Sequence, residues 1–279
     1  MRLRSAFSMA LLAAAIAVAA PAASQQPDTE GVKIKNIGIV GRAIRSLASA
    51  EKMEQVGEQQ YTQLTRQAFQ KHALLPPEHP QYVRLRKIFQ DLLPHSYKFN
   101  ERARNWKWEV NIVNSPTINA FCMPGGKIAF FTGILQKLQL TDDEVAMVMG
   151  HEIAHALREH SRARAAKSTL TNIGTMAVAV LVGGNAGEIA RMGGGLLGLR
   201  FSRNDETEAD LIGMELAARA GYNPTSGVAL WEKMSAAAKG APMEFMSTHP
   251  SGTTRISTIK SNLKDVMPLY ERAKAKKAG

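Results

Sequence analysis

The stretch His151-Glu152-Ile153-Ala154-His155 decides the interpretation of this chain of 279 residues. On a helix, residues four apart lie on one face, so the two imidazoles can share one tetrahedral metal ion. The glutamate after the first histidine then lies beside the open coordination position, where it can take a proton from water. The spacing therefore predicts a zinc site with a general base, the arrangement found in zinc-dependent peptidases.

The residues before this stretch place it on a helix. Thr141-Asp142-Asp143-Glu144 is typical of a capping box, in which the threonine and the last glutamate satisfy backbone N–H groups at the helix start. Val145, Val148 and Met149 then supply an apolar helical face that leads into the histidines. A surface helix that carries two histidines by chance is the competing interpretation, and both features disfavour it.

A catalytic zinc site needs a third protein ligand, and the sequence separates two solutions. The metzincin pattern would place glycine at position 158 and histidine at position 161. The chain has Arg158 and Ser161 there, with His160 one position early. A glutamate from a later helix is the remaining solution.

The acidic segment that follows Ser202 contains such a glutamate. Ser202 is a suitable N-cap for a helix that contains Glu206 and Asp210. These two carboxylates share one helix face. Glu206 can therefore bind zinc while Asp210 orients a ligand histidine through its other ring nitrogen.

Three further residues of this helix are assigned by their position relative to that face. Gly213 lies on it one turn further, so that two helices can approach closely there. Glu208 and Asp205 point away from it and are expected to be solvated or to complement the helix dipole. The competing interpretation of the whole segment is an ordinary acidic helix start.

The N-terminus has the three parts of a secretory signal peptide. Arg2 and Arg4 precede an apolar run at 9–20, and small residues follow at 21–24. The run is shorter than the roughly twenty residues that span a bilayer, which favours cleavage over a retained anchor. It is also continuous, unlike an arginine-rich amphipathic mitochondrial transit peptide. We therefore expect a periplasmic protein without a lipobox cysteine.

The rest of the chain is expected to form one catalytic domain. The predicted parts are a signal peptide at 1–24, a flexible leader at 25–45, a zinc metallopeptidase domain at 46–270 and a solvated, mobile basic tail at 271–279. A formal net charge of +11 favours peripheral contact with anionic lipid. Nucleic acid is not an expected partner, because no basic surface interleaved with aromatic residues is visible.

The single cysteine of the chain, Cys122, excludes an intramolecular disulfide. Its neighbours Phe121 and Met123 are apolar. A small buried thiol is therefore favoured over a catalytic one.

The apolar pattern predicts a mainly α-helical α+β fold. The predicted elements are helices at 46–72 and 82–93, strands at 106–112 and 127–132, and a turn-rich segment at 119–126. Pro94 is expected to end the second helix. Residues 173–182 predict a buried or membrane-skimming helix, and the glycine-rich residues after it form either a lid over the cleft or a plain connector.

The strand residues Lys127, Ile128, Ala129 and Phe130 precede the metal-binding helix closely. An exposed edge there could pair with the extended backbone of a substrate, the β-augmentation mode of peptide recognition. The alternative is an interior strand with no exposed edge.

Five motifs in order carry a resemblance to a known family. They are Asn119-Ala120-Phe121 with Pro124-Gly125-Gly126, Gly150 through His155 with His160, Glu206 through Asp210, Gly221-Tyr222-Asn223-Pro224, and Ser247-Thr248-His249-Pro250 with Arg255-Ile256. Between roughly residues 61 and 259 the chain resembles the gluzincin zinc metallopeptidases of the HtpX and CAAX prenyl protease type. Among these it is most similar to periplasmic BepA- and LoiP-like members. The resemblance implies a gluzincin-type metallopeptidase domain with a small β-sheet bordering the active-site helix.

The resemblance also implies roles for individual residues. In the family, a glutamate at the position of Glu206 is the third zinc ligand. A histidine at the position of His249 can approach the metal and hold the enzyme latent, or stabilise the tetrahedral intermediate, and an arginine at the position of Arg255 supports it. Composition alone would make His249 an ordinary loop histidine. The chain departs from the family members by the missing lipobox cysteine and the missing C-terminal tetratricopeptide domain.

Together these features predict a zinc metalloendopeptidase that binds one Zn²⁺ through His151, His155 and Glu206, with Glu152 as general base. The expected substrates and partners are unfolded or misassembled cell-envelope proteins. One alternative is a chaperone-like assembly factor with a latent zinc site, although a structural site does not need Glu152. Another is a zinc hydrolase of a cell-wall peptide, which the strand beside the metal disfavours.

Overall fold

The protein is mainly helical and contains one small sheet. The computed structural model describes residues 30–168, 200–239, 244–250 and 253–278. In chain order the helices are α1 (Ile39–Ser46), α2 (Ala50–Gln70), α3 (Pro80–Ser96), α4 (Thr132–Lys137), α5 (Asp142–Leu157), α6 (Arg203–Arg219), α7 (Ser226–Ala238), α8 (Glu244–Thr248) and α9 (Thr253–Ala278). The strands are β1 (Glu109–Val113), β2 (Ala120–Met123) and β3 (Lys127–Phe131). The predicted α+β class is therefore confirmed.

Helix α5 carries the histidine motif and lies in the hydrophobic core. The predicted capping box is confirmed: Glu144 N donates to Thr141 Oγ1 at 3.3 Å, and Thr141 N donates to Glu144 Oε2 at 2.8 Å. From Glu144 to Leu157 every residue of the helix is buried. Such a helix has no solvated face, so its two histidines and its glutamate lie away from bulk water.

Helix α6 packs directly against α5 and brings the second set of polar side chains. It begins with a capping box between Ser202 and Asp205, so the predicted N-cap is confirmed. A Cβ atom on Gly150 would lie 2.7 Å from the carbonyl oxygen of Gly213, and one on Gly213 would lie 2.6 Å from the backbone nitrogen of His151. The two backbones are therefore in contact at this crossing, as expected for Gly213, and only glycine fits there.

The sheet has the strand order β1-β3-β2, in which β1 pairs with β3 in parallel and β2 pairs with β3 antiparallel. Because β3 is the central strand, the prediction that Lys127 to Phe130 form a substrate-binding edge is wrong. The alternative of an interior strand holds, since both sides of β3 are paired. Strand β2 forms one edge of this sheet in the described part of the chain, and it packs against α5.

Several element boundaries differ from the sequence prediction. The predicted turn-rich segment contains β2, because pairing with β3 stabilises a strand beside the turn at Gly125 and Gly126. The helix predicted at 46–72 is α2, which begins after its N-cap Ser49 and ends at Gln70, whereas α1 lies in the segment predicted as a flexible leader. Pro94 does not end α3, which continues to Ser96, because a proline removes only one helical hydrogen bond and Leu92 and Ser96 remain buried in the core.

The two segments expected to be mobile make defined contacts. In the predicted leader, Val32 N donates to Glu215 Oε2 at 2.8 Å, and Val32 and Ile34 pack on the core. In the predicted basic tail, the last turns of α9 place Lys277 Nζ 4.9 Å from the centre of the Tyr222 ring. Apolar side chains and a buried carboxylate order the first segment, and helix propensity and a cation–π contact order the second.

No described helix combines the length and the apolar character needed to cross a membrane. The predicted signal peptide, the apolar helix at 173–182 and the glycine-rich lid or connector lie outside the described residues.

The glycine contact between α5 and α6 can be tested by Gly213→Ala. The added methyl group would lie 2.6 Å from His151 N, so the helices must separate. Such overpacking typically costs about 1–3 kcal/mol in free energy of unfolding, measured by denaturant titration. Gly38→Ala is the matched control, since no atom lies within 4 Å of the position that its methyl group would take. Equal midpoints for wild type and Gly213→Ala would show that the crossing tolerates a side chain.

Candidate zinc site and active site

Four buried side chains converge where α5, α6 and the residue after α8 meet. They are His151, His155, Glu206 and His249, and one nitrogen or oxygen atom of each lies within 4.8 Å of the others. His155 Nε2 is 3.0 Å from His151 Nε2 and 3.4 Å from Glu206 Oε1. His249 Nδ1 is 3.3 Å from His151 Nε2 and 3.1 Å from Glu206 Oε1. The sequence-predicted ligand set is therefore brought together, with His249 added to it.

The spacing of these atoms fits a tetrahedral zinc ion. Ligand atoms about 2.0–2.1 Å from zinc at tetrahedral angles lie roughly 3.3 Å apart. The separations of 3.0 to 3.4 Å bracket this value. Three imidazole nitrogens and a carboxylate are also the donor types that suit zinc. The residues present therefore fit the ion in donor type, with four of the six separations near the tetrahedral value and all of them within 4.8 Å.

A buried ion-pair network fixes the orientation of two of the four side chains. Asp210 Oδ1 lies 3.0 Å from His151 Nδ1, the arrangement predicted for an orienting carboxylate. Arg255 donates to Asp210 Oδ2 from Nε at 2.6 Å and to Glu206 Oε2 from Nη1 at 2.5 Å. The Arg255 guanidinium also lies 3.5 Å from the centre of the Trp231 ring. Arg255 thus positions both carboxylates on α6.

The same contacts set the charge states in the metal-free protein. Burial opposes the charged form of His151, but the hydrogen bonds to Asp210 and Glu206 outweigh it and raise the pKa of His151 to about 9. Burial also acts to raise the pKa of Glu206, yet hydrogen bonds from His151 and His249 hold it well below its usual value. Burial, helped by the charge on His151, lowers the pKa of His155 well below its usual value. His155 is therefore neutral, and Glu206 is ionised.

Glu152 has the position and the environment of a general base. Its Oε1 atom is buried and has no hydrogen-bond partner among the described residues. The same oxygen lies 3.7 Å from His249 Nε2, at the edge of the four-residue cluster. Burial raises the pKa of Glu152, which brings it closer to the neutral range in which a general base is most effective. A buried acceptor without a donor costs free energy. This oxygen can therefore gain stability by accepting a proton or a hydrogen bond from a water molecule.

A second imidazole, His160, contacts the cluster from behind, and sequence reasoning gave it no role. Glu159 adopts a left-handed conformation with φ of 51°, so the chain turns back directly after α5. His160 Nδ1 consequently lies 2.9 Å from His155 Nδ1. A spacing of five residues would not bring two side chains together on a continuous helix, and the turn at Glu159 leaves no clear signal in the sequence.

Glu208 is not solvated as predicted, whereas Asp205 lies in the acidic first turn of α6 and complements the helix start, which is the other predicted role. Glu208 Oε2 lies 2.9 Å from His160 Nε2, and Glu208 Oε1 lies 2.7 Å from an Arg158 guanidinium nitrogen. Burial acts to raise the pKa of Glu208, but these hydrogen bonds keep it below its usual value. Asp205 closes the capping box of α6 and pairs with Arg164. The segment at 160–168 packs beside the start of α6, so this side of the helix is covered.

A pocket leads from Glu152 to the edge of the sheet. It is lined by Asn119, Ala120, Phe121, Cys122, Met123, Glu152, Ser161, Phe201, Thr248 and His249. The first five are consecutive and include all of β2. The edge strand beside the cluster is therefore β2 and not the predicted β3. Cys122 is buried there, and burial raises the pKa of its thiol, so the predicted buried thiol is confirmed.

The comparisons with known proteins agree with this geometry. The sequence pattern of peptidase family M48 matches residues 81–263, more than half of the chain. This chain belongs to peptidase family M48. It is 33% identical to mitochondrial metalloendopeptidase OMA1 of Saccharomyces cerevisiae, over 80% of this chain and 67% of that protein. It is 26% identical to metalloprotease LoiP of Escherichia coli, over 68% of this chain and 74% of LoiP.

A third relative is a Vibrio cholerae protein whose name includes beta-barrel assembly-enhancing protease. It is 30% identical over 57% of this chain and 35% of the relative. The chain spans 35% of the Arabidopsis thaliana OMA1 protein and 54% of the Schizosaccharomyces pombe one, so these relatives are longer than the shared part. Family membership and the cluster confirm the predicted gluzincin relationship, the class of zinc metalloendopeptidase and the zinc cofactor.

The predicted periplasmic location is contradicted. The matches include mitochondrial OMA1 proteins of two yeasts, a plant and three vertebrates, although LoiP also matches. The physical reason is that a basic, apolar N-terminus separates a secretory signal peptide poorly from a mitochondrial transit peptide. In each pathway a receptor recognises the leader.

Zinc binding by this site is expected to release a proton. Below pH 9 the raised pKa keeps His151 protonated in the metal-free protein, and the metal requires the unprotonated nitrogen. At pH 7 about one proton should therefore leave per zinc, and zinc affinity should fall as pH decreases below 9. Calorimetry in two buffers of different ionisation enthalpy measures the release. Identical heats in both buffers would mean that His151 is already neutral.

Proposed function

We propose that this protein hydrolyses internal peptide bonds of unfolded or misassembled polypeptides, as a protein quality-control protease. His151, His155 and Glu206 hold the zinc ion, and Glu152 is the general base. The observation that carries the proposal is the buried, unpartnered Glu152 oxygen beside a zinc-type donor cluster, at the end of a pocket rimmed by an edge strand.

The protein side of the reaction follows from these positions. Zinc, when bound, polarises the scissile carbonyl and makes water a stronger acid. Glu152 accepts the proton of the attacking water, whose oxygen forms a bond to the carbonyl carbon. Glu152 then gives this proton to the leaving nitrogen as the C–N bond breaks, so that a carboxylic acid and an amine result. Asp210 and Arg255 keep His151 and Glu206 in place and take no proton.

The edge of β2 that pairs with no other described strand supports an extended polypeptide as substrate. Phe131 N donates to Asn119 O at 3.1 Å, so alternate residues of β2 bond to β3. The backbone groups of Ala120 and Cys122 then face away from β3, and Ala120 N donates to Asn119 Oδ1 at 2.9 Å, a bond that a substrate strand would replace. A substrate strand can pair with them only if its own backbone is free, which excludes folded segments and favours unfolded chains.

The class of substrate is narrowed by one bacterial relative. Its name refers to beta-barrel assembly, which favours misassembled envelope proteins over cell-wall peptides. Peripheral contact with anionic lipid is part of the same proposal and is supported by the net charge of +11. The exposed apolar side chains of Ile39 and Leu47 flank basic residues of α1 and could enter the lipid interface. Nucleic acid is not proposed as a partner.

Purified protein with zinc should cleave casein, an unfolded model substrate, and the fragments are followed by mass spectrometry. Glu152→Gln is isosteric but cannot accept the proton, so it should lose at least about 10²-fold in rate while it still binds zinc. Zinc content of both proteins is the control. Loss of zinc in Glu152→Gln would mean that Glu152 is a ligand. Absence of cleavage by both zinc-loaded proteins would favour the chaperone-like alternative or a latent enzyme.

His249 supports latency as part of the proposed function. A catalytic zinc site keeps one position open for water, whereas a closed site has four protein ligands. His249 supplies a fourth nitrogen within the cluster, and the Phe245 ring stacks on it with 4.4 Å between ring centres. The segment after α8 would therefore have to withdraw before substrate enters.

Removal of this histidine is expected to activate the enzyme. If fewer than one molecule in ten is open at rest, His249→Ala should raise casein cleavage by about tenfold or more. The variant should also bind zinc somewhat more weakly, since it loses one of four donors. His95→Ala, a histidine on α3 outside the cluster, is the control for histidine loss. A zinc-loaded His249→Ala that is no faster than the wild type would contradict latency.

A further inference from the structure

Behind the zinc cluster, a row of contacts leads from His155 to the surface. His155 Nδ1 lies 2.9 Å from His160 Nδ1, and His160 Nε2 lies 2.9 Å from Glu208 Oε2. Glu208 Oε1 pairs with Arg158 at 2.7 Å, and Arg158 donates to the carbonyl oxygen of Lys35 at 3.1 Å. His155 and His160 are each about 98% or more buried, so water does not substitute for these partners.

With both imidazoles neutral, the ionised carboxylate of Glu208 fixes the direction of the hydrogen bonds in this row. An ionised carboxylate only accepts, so His160 Nε2 must donate to Glu208. A neutral His160 then has a lone pair on Nδ1, which accepts from His155 Nδ1–H. In a neutral His155 this leaves the lone pair on Nε2, the atom that faces His151 and Glu206. The opposite tautomer of His155 would direct an N–H into the cluster and could not bind a metal ion.

We propose that His160 and Glu208 form a positioning relay that holds His155 in its zinc-binding tautomer and ring orientation. Neither residue touches substrate or metal. The relay rests on the proposed role of His155 as a zinc ligand and adds two residues to which no role in the reaction had been assigned. The ligand whose binding the relay supports is a divalent metal ion that binds imidazole nitrogen.

The other ligand histidine provides an internal comparison. His151 is oriented by a carboxylate directly, through Asp210 at 3.0 Å. The Nδ1 atom of His155 faces His160 instead of a carboxylate. The relay thus gives both imidazoles the same kind of support, one by a single hydrogen bond and one by two. Residues that orient a ligand in this way typically contribute 10- to 100-fold to metal affinity.

Zinc affinity, measured by competition with a chromogenic chelator, separates the relay from simple packing. His160→Leu keeps the volume of the side chain and removes the acceptor, and should weaken zinc binding about 10- to 100-fold. His160→Asn is smaller but keeps an amide oxygen near the Nδ1 position, and should recover much of the loss. A packing role would give the opposite order. His95→Leu is the control and should bind zinc as the wild type does.

The partnership with Glu208 is tested by a double-variant cycle. Glu208→Ala should weaken zinc binding about as much as His160→Leu, and the double variant should be no weaker than either, because both remove the same relay. Glu208 is partly exposed at 19% of its side chain, so this variant remains informative if the His160 variants do not fold. Additive losses, or wild-type zinc affinity in a folded Glu208→Ala or His160→Leu protein, would overturn the relay.

Two further measurements make the outcome specific. Two-bond proton–nitrogen NMR correlations of the imidazole rings should place the proton of His155 on Nδ1 in the wild type, and a mixture of tautomers should be observed in Glu208→Ala. A proton on Nε2 in the wild type would overturn the relay. His155→Ala tests the underlying assignment: if it still binds zinc tightly, the ligand role itself fails, whereas loss of zinc there with unchanged relay variants overturns the relay alone.

Discussion

The contact between Gly150 on α5 and Gly213 on α6 is the constraint on which the site depends. Two side chains at this crossing would separate the helices, and the imidazoles of α5 would no longer reach the carboxylates of α6. The glycines weaken both helices slightly, since glycine has low helix propensity. Extensive burial of both helices and a capping box at the start of each offset that cost. The two glycines therefore lower the stability of each helix, but they set the distance between the imidazoles of α5 and the carboxylates of α6.

Charges in such a position need partners, because removal of an ion from water costs several kcal/mol. Glu206 and Asp210 share Arg255, and Asp210 also holds His151. The aromatic ring of Trp231 covers the guanidinium face of Arg255. Among the described residues of the zinc site, one oxygen of Glu152 has no hydrogen-bond partner, and this oxygen belongs to the general base. The hydrogen-bonded groups of the network hold the ligands rigidly, and the unpaired oxygen of Glu152 is the reactive atom.

The parts of the site that could be predicted from the sequence are those governed by local periodicity. A capping box, a four-residue spacing on α5 and a four-residue spacing on α6 are each properties of one helix, and each was predicted. The strand order was missed, because pairing between β2 and β3 depends on partners elsewhere in the chain. The contact of Glu208 with His160 was missed for the same reason, since a left-handed residue at Glu159 redirects the chain. The compartment was predicted wrongly because leaders for different compartments share a basic, apolar character.

The origin of Arg255 at the beginning of the last helix has a consequence for biosynthesis. The ribosome makes His151 and Glu206 well before α9, which contains Arg255 and extends to Ala278. Until α9 docks, Glu206 and Asp210 lack the guanidinium of Arg255 and keep protonated His151 as a neighbouring cation, so closure of the cluster is less favourable. In the nascent chain, Glu206 and Asp210 therefore reach their final set of partners only after α9 has been made. The order of synthesis thus places completion of the buried ion-pair network after synthesis of the helix that carries Arg255.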